Sequence, residues 1–301
     1  MDGKERIVMT TRWLIGCGSL TWPREMPREQ VWAEIAEAGY DGVPVGPYMG
    51  TAEETLAWCD RFGLQPAPGY LSADYWKAEE EPQILVRAAE YARFMRDVGC
   101  SELYLGPGGF AGYVTSSGLT RAQLAGHVGP EDGMTDEEFR QFAQAVTHVG
   151  ELTLSFGVRS CFHNHVGSVI ETREEIDRLF ELVDRDVVFM GPDIGHLVWA
   201  GIDPVSFCRD YAESIQSVHI KDINPLVLAR GVAEGWAYGQ FSDAGIFAEL
   251  GEGCVDFPAI FAILRDAGYQ GWVIVETDRT TKPSALESAE ISRTYLRGLG
   301  L

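Results

Sequence analysis

Four apolar runs in this 301-residue chain end in side chains that can hold a metal ion or move a proton. They read CFHNH (161–165), GPDIGH (191–196), VHIKD (218–222) and VIVETD (273–278). Four of the six histidines fall there: His163, His165, His196 and His219. Asp193, Lys221, Asp222, Glu276 and Asp278 join them, and Glu171 stands just ahead of a Thr172-to-Glu175 helix-cap pattern. Successive side chains on a strand alternate faces. His163 therefore shares a face with His165, His219 with Lys221, and Glu276 with Asp278. A mixed set of imidazoles and carboxylates suits Mn²⁺, Co²⁺, Fe²⁺ or Zn²⁺, and the same groups can serve as general acid or base. One strand-end histidine alone is more often a hydrogen-bonded core residue. Four such ends brought together would crowd charges and imidazoles that need a cation, so a divalent metal is expected. Glu171 at the start of a helix reads either as a group reaching this site or as an acidic residue favoured at a helix N-terminus.

These groups meet only if the runs are neighbours. Eight apolar runs are candidate strands: 13–17, 42–46, 64–70, 102–106, 158–163, 187–192, 215–220 and 272–277. Most alternate with helical stretches that stop at Gly39, Gly63, Gly99, Gly157 or Gly268. Ile84, Ala88, Tyr91 and Met95 fall on one helical face, as do Phe139, Phe142, Val146 and Val149. Thr135 with Glu138, Thr172 with Glu175, and Ser284 with Glu287 have capping-box spacing, and Asp203-Pro204 fits a cap with proline at the first helical position. Alternating strands and helices demand parallel strands with helical crossovers. Eight such units in this length predict an α/β chain folded as a (β/α)8 TIM barrel. The expected domain organisation is a single domain over 1–301 with its core at about 13–296. Pro66 and Pro68 make the third strand the weakest of the eight. An open doubly wound sheet is the alternative, and no GxGxxG opens the first helix to favour it. In a barrel the strand ends converge on one mouth, where active sites form. Two long segments, 107–134 and 223–256, leave that face and read equally as lids or as decoration.

The balance of 45 acidic to 24 basic residues gives a formal charge of −21. Such a surface repels a phosphate backbone, so nucleic acid is not an expected partner. No apolar run reaches the roughly 20 residues that span a bilayer, and the opening MDGKERIVMTTRW has no signal-peptide core. Six scattered cysteines with no CxxC pair read as reduced thiols in a cytoplasmic protein. The expected partner is a small molecule, and a homo-oligomer is compatible with all of this.

At DIGH, VHIKD and GWVIVETD the chain resembles the sugar phosphate isomerase/epimerase superfamily of xylose-isomerase-like TIM barrels. The resemblance covers about residues 13–296 and is densest over 158–278. FHNHVGSVIETREEIDRL, DIGHLVWAGIDP and DAGIFAELGEGCVDFPAIFAIL resemble the inosose-dehydratase-like subgroup. The resemblance implies a divalent metal, usually manganese or cobalt, held by position 163, Asp193, His219 and Glu276. His196 resembles the family's substrate-contacting histidine. Two departures stand out. Most members carry glutamate where this chain has His163, so either His163 is the ligand or Glu171 takes the carboxylate role. The second strand reads GVPVGP, without the glutamate that many members place near substrate.

The chemistry implied is polarisation of a ketone by the metal, removal of the adjacent C–H proton and formation of an enediolate. A dehydratase then expels a β-hydroxyl; an isomerase or epimerase returns the proton elsewhere. The substrate class is an inosose-like cyclic polyol ketone in the first case and a ketose sugar or sugar phosphate in the second. Glu171, His165, His196 and Lys221 are the candidate acid, base and oxyanion-stabilising groups. A nuclease of the superfamily fits poorly with the −21 charge, and a non-catalytic sugar-binding barrel fits poorly with an intact metal site.

Overall fold

A computed structural model describes residues 12–301; the opening residues 1–11, which include most of the polar N-terminal stretch noted above, lie outside the described residues. The elements run in chain order β1 (Ile15–Cys17), α1 (Arg28–Ala38), β2 (Gly42–Pro44), α2 (Ala52–Phe62), β3 (Gln65–Ala67), β4 (Gly69–Ala73), α3 (Glu81–Asp97), β5 (Glu102–Pro107), α4 (Asp136–Leu154), β6 (Arg159–Phe162), α5 (Arg173–Leu182), β7 (Val188–Met190), α6 (Ile194–Trp199), α7 (Pro204–Tyr211), β8 (Val218–Ile220), β9 (Asp222–Ile223), α8 (Pro225–Glu234), α9 (Tyr238–Asp243), β10 (Phe247–Ala248), α10 (Phe257–Asp266), β11 (Val273–Val275) and α11 (Ala285–Gly298).

Two parallel arcs, β3-β2-β1-β11-β8 and β4-β5-β6-β7, make the sheet. They join at both seams. At one, β3 and β4 are a single strand interrupted at Pro68, which has no N–H to give to a ladder. At the other, Met190 bridges Ile215 and Asp193 bridges His219, both parallel. The His219 amide donates to the Pro192 carbonyl at 3.0 Å across this seam. The result is a closed (β/α)8 barrel, and closure excludes the open doubly wound sheet. The third strand, the weakest in sequence, is real but divided, and it runs on to Ala73 beyond the expected end at 70.

The helical faces form as their spacing requires. Phe139, Phe142, Val146 and Val149 are all buried, as are Ile84, Ala88 and Met95, while Tyr91 is half-buried. Thr135 and Thr172 make full capping boxes. Ser284 accepts from the Glu287 amide without the return bond, so that box is half formed. Asp203 caps α7 through the Val205 amide. The paired turns EAGYDG and DAGYQG use the same device. Gly39 and Gly268 stop their helices at φ of 86° and 74°, which a side chain would strain, and each is followed by a buried tyrosine.

Inside the barrel, Ala67, Tyr104, Cys161, Trp272 and Ile274 pack as a layer beneath the mouth. Over the mouth, a separate apolar cluster of Ala125, Val166, Trp199, Ile223, Phe241, Ile246 and Phe247 draws in both long segments. Phe110 from the first meets Tyr238 from the second edge to face, 4.8 Å between ring centres. They are a roof on the C-terminal face. Among the described residues no helix is long and apolar enough to cross a membrane.

Candidate active site

Local structure aims each group before tertiary contacts refine it. The His163 amide donates to Leu105 O at 2.9 Å, extending the β6 ladder by one residue and turning the imidazole into the barrel. There it meets Tyr70 and Tyr104 edge-on at 5.1 and 5.6 Å and the His219 ring at 4.7 Å. The Asn164 side chain clamps the end of the next strand. Its Oδ1 accepts from the Asp193 amide at 3.0 Å, and its Nδ2 donates to Asp193 O at 3.3 Å. Asp193 then caps α6: its Oδ1 accepts from the His196 amide at 3.0 Å. Its other oxygen, Oδ2, is left facing inward.

His163, Asp193 and His219 each offer a ligand atom, and these atoms lie within 4.8 Å of one another. Glu276 Oε2 is 3.4 Å from His219 Nδ1. Asp193 Oδ2, His163 Nδ1 and both ring nitrogens of His219 are buried without a hydrogen-bond partner. Orphaned groups of this kind carry a desolvation cost that a native structure normally offsets. A divalent cation among them would satisfy the set, and its chemistry fits a mixed N/O site. Burial, followed by the neighbouring imidazoles of His219 and His165, holds His163 well below its ordinary pKa. It is therefore the neutral, lone-pair-bearing form that a metal needs. Burial raises the Glu276 carboxyl, but Lys221 and His219 more than reverse this and hold it well below its usual range.

Behind this group lies a second one. His165, His196 and Asp278 also place ligand-type atoms within 4.8 Å of one another. The His165 and His196 rings lie 3.8 Å apart. His165 Nδ1 donates to Val166 O at 2.7 Å, which leaves the lone pair on Nε2. Burial, then the nearby Lys221 charge, lowers its pKa to about 4. Burial and the His165 ring hold His196 well below its ordinary value too. Burial raises Asp278 to about 6.

Lys221 stands between the two groups, 1% exposed at its side chain. Its Nζ is 2.7 Å from Asp278 Oδ1, 3.2 Å from His196 Nε2, 3.3 Å from Glu276 Oε2 and 3.4 Å from Asp193 Oδ2. Burial alone would discharge it, but the carboxylates of Asp193, Asp278 and Glu276 more than compensate and hold it well above its ordinary pKa. It is a fixed cation. The glycine of DIGH has a physical reason here: a Cβ on Gly195 would lie 2.7 Å from Lys221 Cβ and 2.8 Å from its carbonyl oxygen. Only glycine lets the first turn of α6 lie this close to the lysine strand.

Glu171 is brought to the roof and not into either cluster. The amides of Gly126 and Gly167 donate to its two oxygens at 2.7 and 2.6 Å. Burial raises its pKa to about 7 against the pull of Arg121 and these two amides. Asp222 is likewise spent on backbone, accepting from the Ile223, Gly251, Gly253 and Val255 amides. Of the other histidines, His148 contacts Glu81 between α4 and α3, and His127 packs beside Phe241. Asp278, placed by the sequence on the Glu276 face without a specific role, reaches the mouth together with Tyr238, whose hydroxyl donates to Asp278 Oδ2 at 3.3 Å. Strand alternation in VIVETD marked Asp278; nothing local marks Tyr238. A cavity of about 600 Å³ opens at the other end of the barrel, lined by Gln65, Glu102, Arg159 and Gln216 among others. None of the residues at the mouth described above lines it.

Comparison with known proteins agrees with this fold. The chain is 30% identical over 287 residues to an inosose dehydratase of Geobacillus kaustophilus, covering 88% of this chain and 87% of that one. Its fold is similar to that of the IOLI protein crystallised with a zinc atom (TM-score 0.70, 15% identity, 95% and 98% of the two chains). It is also similar to that of the 3-keto-D-glucoside 4-epimerase YcjR of E. coli (TM-score 0.68, 18% identity, 95% and 100%). Residues 32–297, from α1 to α11, match the family model for the xylose isomerase-like TIM barrel, and the chain belongs to that family.

Proposed function

We propose that this protein is a metal-dependent dehydratase, a lyase that removes water from an inosose-like cyclic polyol ketone. The observation that carries it is the set of orphaned inward-facing atoms on His163, Asp193 and His219 next to the buried cation of Lys221. The relatives named inosose dehydratase supply the substrate class. His163, Asp193, His219 and Glu276 would hold the ion, with Mn²⁺ or Co²⁺ preferred for this donor set and Zn²⁺ or Fe²⁺ as alternatives. When bound, the ion supplies Lewis acidity to the ketone oxygen.

The chain's own groups do the rest. His165 presents a neutral Nε2 able to take the proton from the carbon beside the ketone. The C–H electrons move onto the carbonyl to give an enediolate, and the Lys221 ammonium stabilises the charge that develops there. The enediolate expels the hydroxyl on the next carbon, which leaves as water with the proton that His165 took up, so that His165 returns to its neutral form. His196 orients Lys221 and contacts substrate. Glu171 acts through the roof segment it ties down. Tyr238, Phe110 and Trp199 exclude bulk water above. We place the reaction in the cytoplasm, where the six free cysteines stay reduced.

An isomerase or epimerase acting on a ketose is the second reading, favoured by the fold shared with YcjR, because both reactions open with the same proton removal. Turnover of keto-inositols and ketoses with and without added Mn²⁺ or Co²⁺, with product mass recorded, separates them. A product lighter by one water supports the dehydratase. A product of unchanged mass overturns it in favour of the second reading.

A further inference from the structure

We propose that the ammonium of Lys221 permanently occupies the place of a second divalent cation, so that this is a one-metal protein built over a latent two-metal site. The inference rests on the metal reading above and adds to it.

The second donor group, His165, His196 and Asp278, has the spacing of a metal site in its own right. Lys221 Nζ already contacts two of its members, Asp278 at 2.7 Å and His196 at 3.2 Å. The same ammonium also faces Glu276 and Asp193 of the first group at 3.3 and 3.4 Å. It thus sits between the two sets, where a second ion would share ligands with the first. The stem is buried, its side chain 1% exposed. Gly195 of α6 lies against its Cβ, and the Phe247 ring stands 5.3 Å from the ammonium.

Charge decides how many ions the mouth accepts. Asp193, Glu276 and Asp278 bring three negative charges and Lys221 one positive, a balance of −2. One divalent ion neutralises it. A second would leave two uncompensated positive charges in a buried site, which is costly. Without the lysine charge the balance is −3, and the mouth can take a second divalent ion. The fixed ammonium supplies positive charge beside the first ion's carboxylates without exchanging with solvent.

The test is ion stoichiometry, read by elemental analysis and by the electron paramagnetic resonance of Mn²⁺ after equilibration with Mn²⁺ alone. Wild type is expected to hold one ion per chain with the spectrum of an isolated ion. Lys221→Ala is expected to hold two with a spin-coupled spectrum, and adding Asp278→Ala should return the count to one. Lys221→Arg should keep one. Two ions in wild type, or one in Lys221→Ala, overturns the proposal. His165→Ala in the presence of Lys221 provides an arm independent of the lysine variant's folding: it should keep one ion, and loss of that ion overturns the proposal. No ion in wild type overturns the metal reading itself, and with it this one.

Discussion

Arg121 and Glu175, 54 residues apart, form a buried bidentate ion pair, with Nη1 to Oε1 and Nη2 to Oε2 both at 2.9 Å. The same guanidinium donates through Nε to Ser168 O at 2.7 Å and through Nη1 to Asp132 O at 3.1 Å. Glu175 Oε2 also accepts from the Glu171 and Thr172 amides. One pair therefore fastens the long segment after β5 to the start of α5, beside the loop that carries His165. The roof is positioned by this contact and not by apolar packing alone.

Removing one member of a buried pair leaves the other uncompensated, at a cost of about 3–5 kcal/mol. Arg121→Met should lower unfolding stability by that order in urea titration. Adding Glu175→Gln should recover part of the loss, since the isolated charge is then gone. Equal stability of the single and double variants would show that lost packing, not the stranded carboxylate, sets the cost.

Glu171 makes stability depend on pH with a definite sign. Its carboxyl holds its proton up to about pH 7 in the folded protein, against an ordinary 4.5. Between those values the folded state binds more proton than the unfolded chain, so this group makes stability fall as pH rises. The fall is on the order of 3 kcal/mol across the window and is complete above pH 7. Glu171→Gln cannot titrate. The stability of wild type minus that of the variant should decline from pH 4.5 to 7 and then level off. The variant should keep its metal and turn over more slowly, because the amide presents a donor to one of two backbone donors and loosens the roof. A pH-independent difference would contradict this.

Ion-holding and ion-independent positions on the same strands should separate. His163→Ala, His219→Ala and Glu276→Gln are each expected to lose metal and turnover together, measured by elemental analysis and assay. Cys161 faces the layer below the site, packed with Tyr104 and Ile274. Cys161→Ser should keep the metal and lose about 1–3 kcal/mol for a poorly partnered buried hydroxyl. Retained metal in His219→Ala would remove that residue from the ligand set.

Chelation should destabilise the wild type through linkage. An ion present at 100 times its Kd adds about 2.7 kcal/mol to folding. Its removal should lower Tm, and Mn²⁺ or Co²⁺ should restore it. The shift should vanish in Glu276→Gln.

Gly195→Ala tests the close approach of α6 to Lys221. A methyl 2.7 Å from Lys221 Cβ must displace one of the two backbones, an overpacking cost of about 1–3 kcal/mol. Turnover should fall while the ion count stays the same, because Asp193 and His219 keep their own contacts. Unchanged turnover would show that Lys221 tolerates the shift.

The order of strands and helices was legible in the sequence because it depends on interactions a few residues long. Apolar runs, helix-stopping glycines and the caps at Thr135 and Thr172 act within a turn or two, and a strand's alternation places His219 and Lys221 on one face whatever surrounds them. The convergence of four strand ends at one mouth followed once a barrel was assumed. Tertiary structure decided the rest, because long-range contact depends on how the sheet closes and what then packs on it. Division of the third strand at Pro68 was settled by pairing to β2 on one side and β5 on the other. The sequence left Glu171 open between a group reaching the site and an acidic residue at a helix N-terminus; its contact with Gly126, 45 residues upstream, is one no local rule connects to it. The sequence marked Lys221 as a candidate acid, base or oxyanion-stabilising group but not the carboxylates around it. Closure of β8 against β7 and β11 surrounds it with Asp193, Glu276 and Asp278, and that encirclement keeps a buried lysine charged.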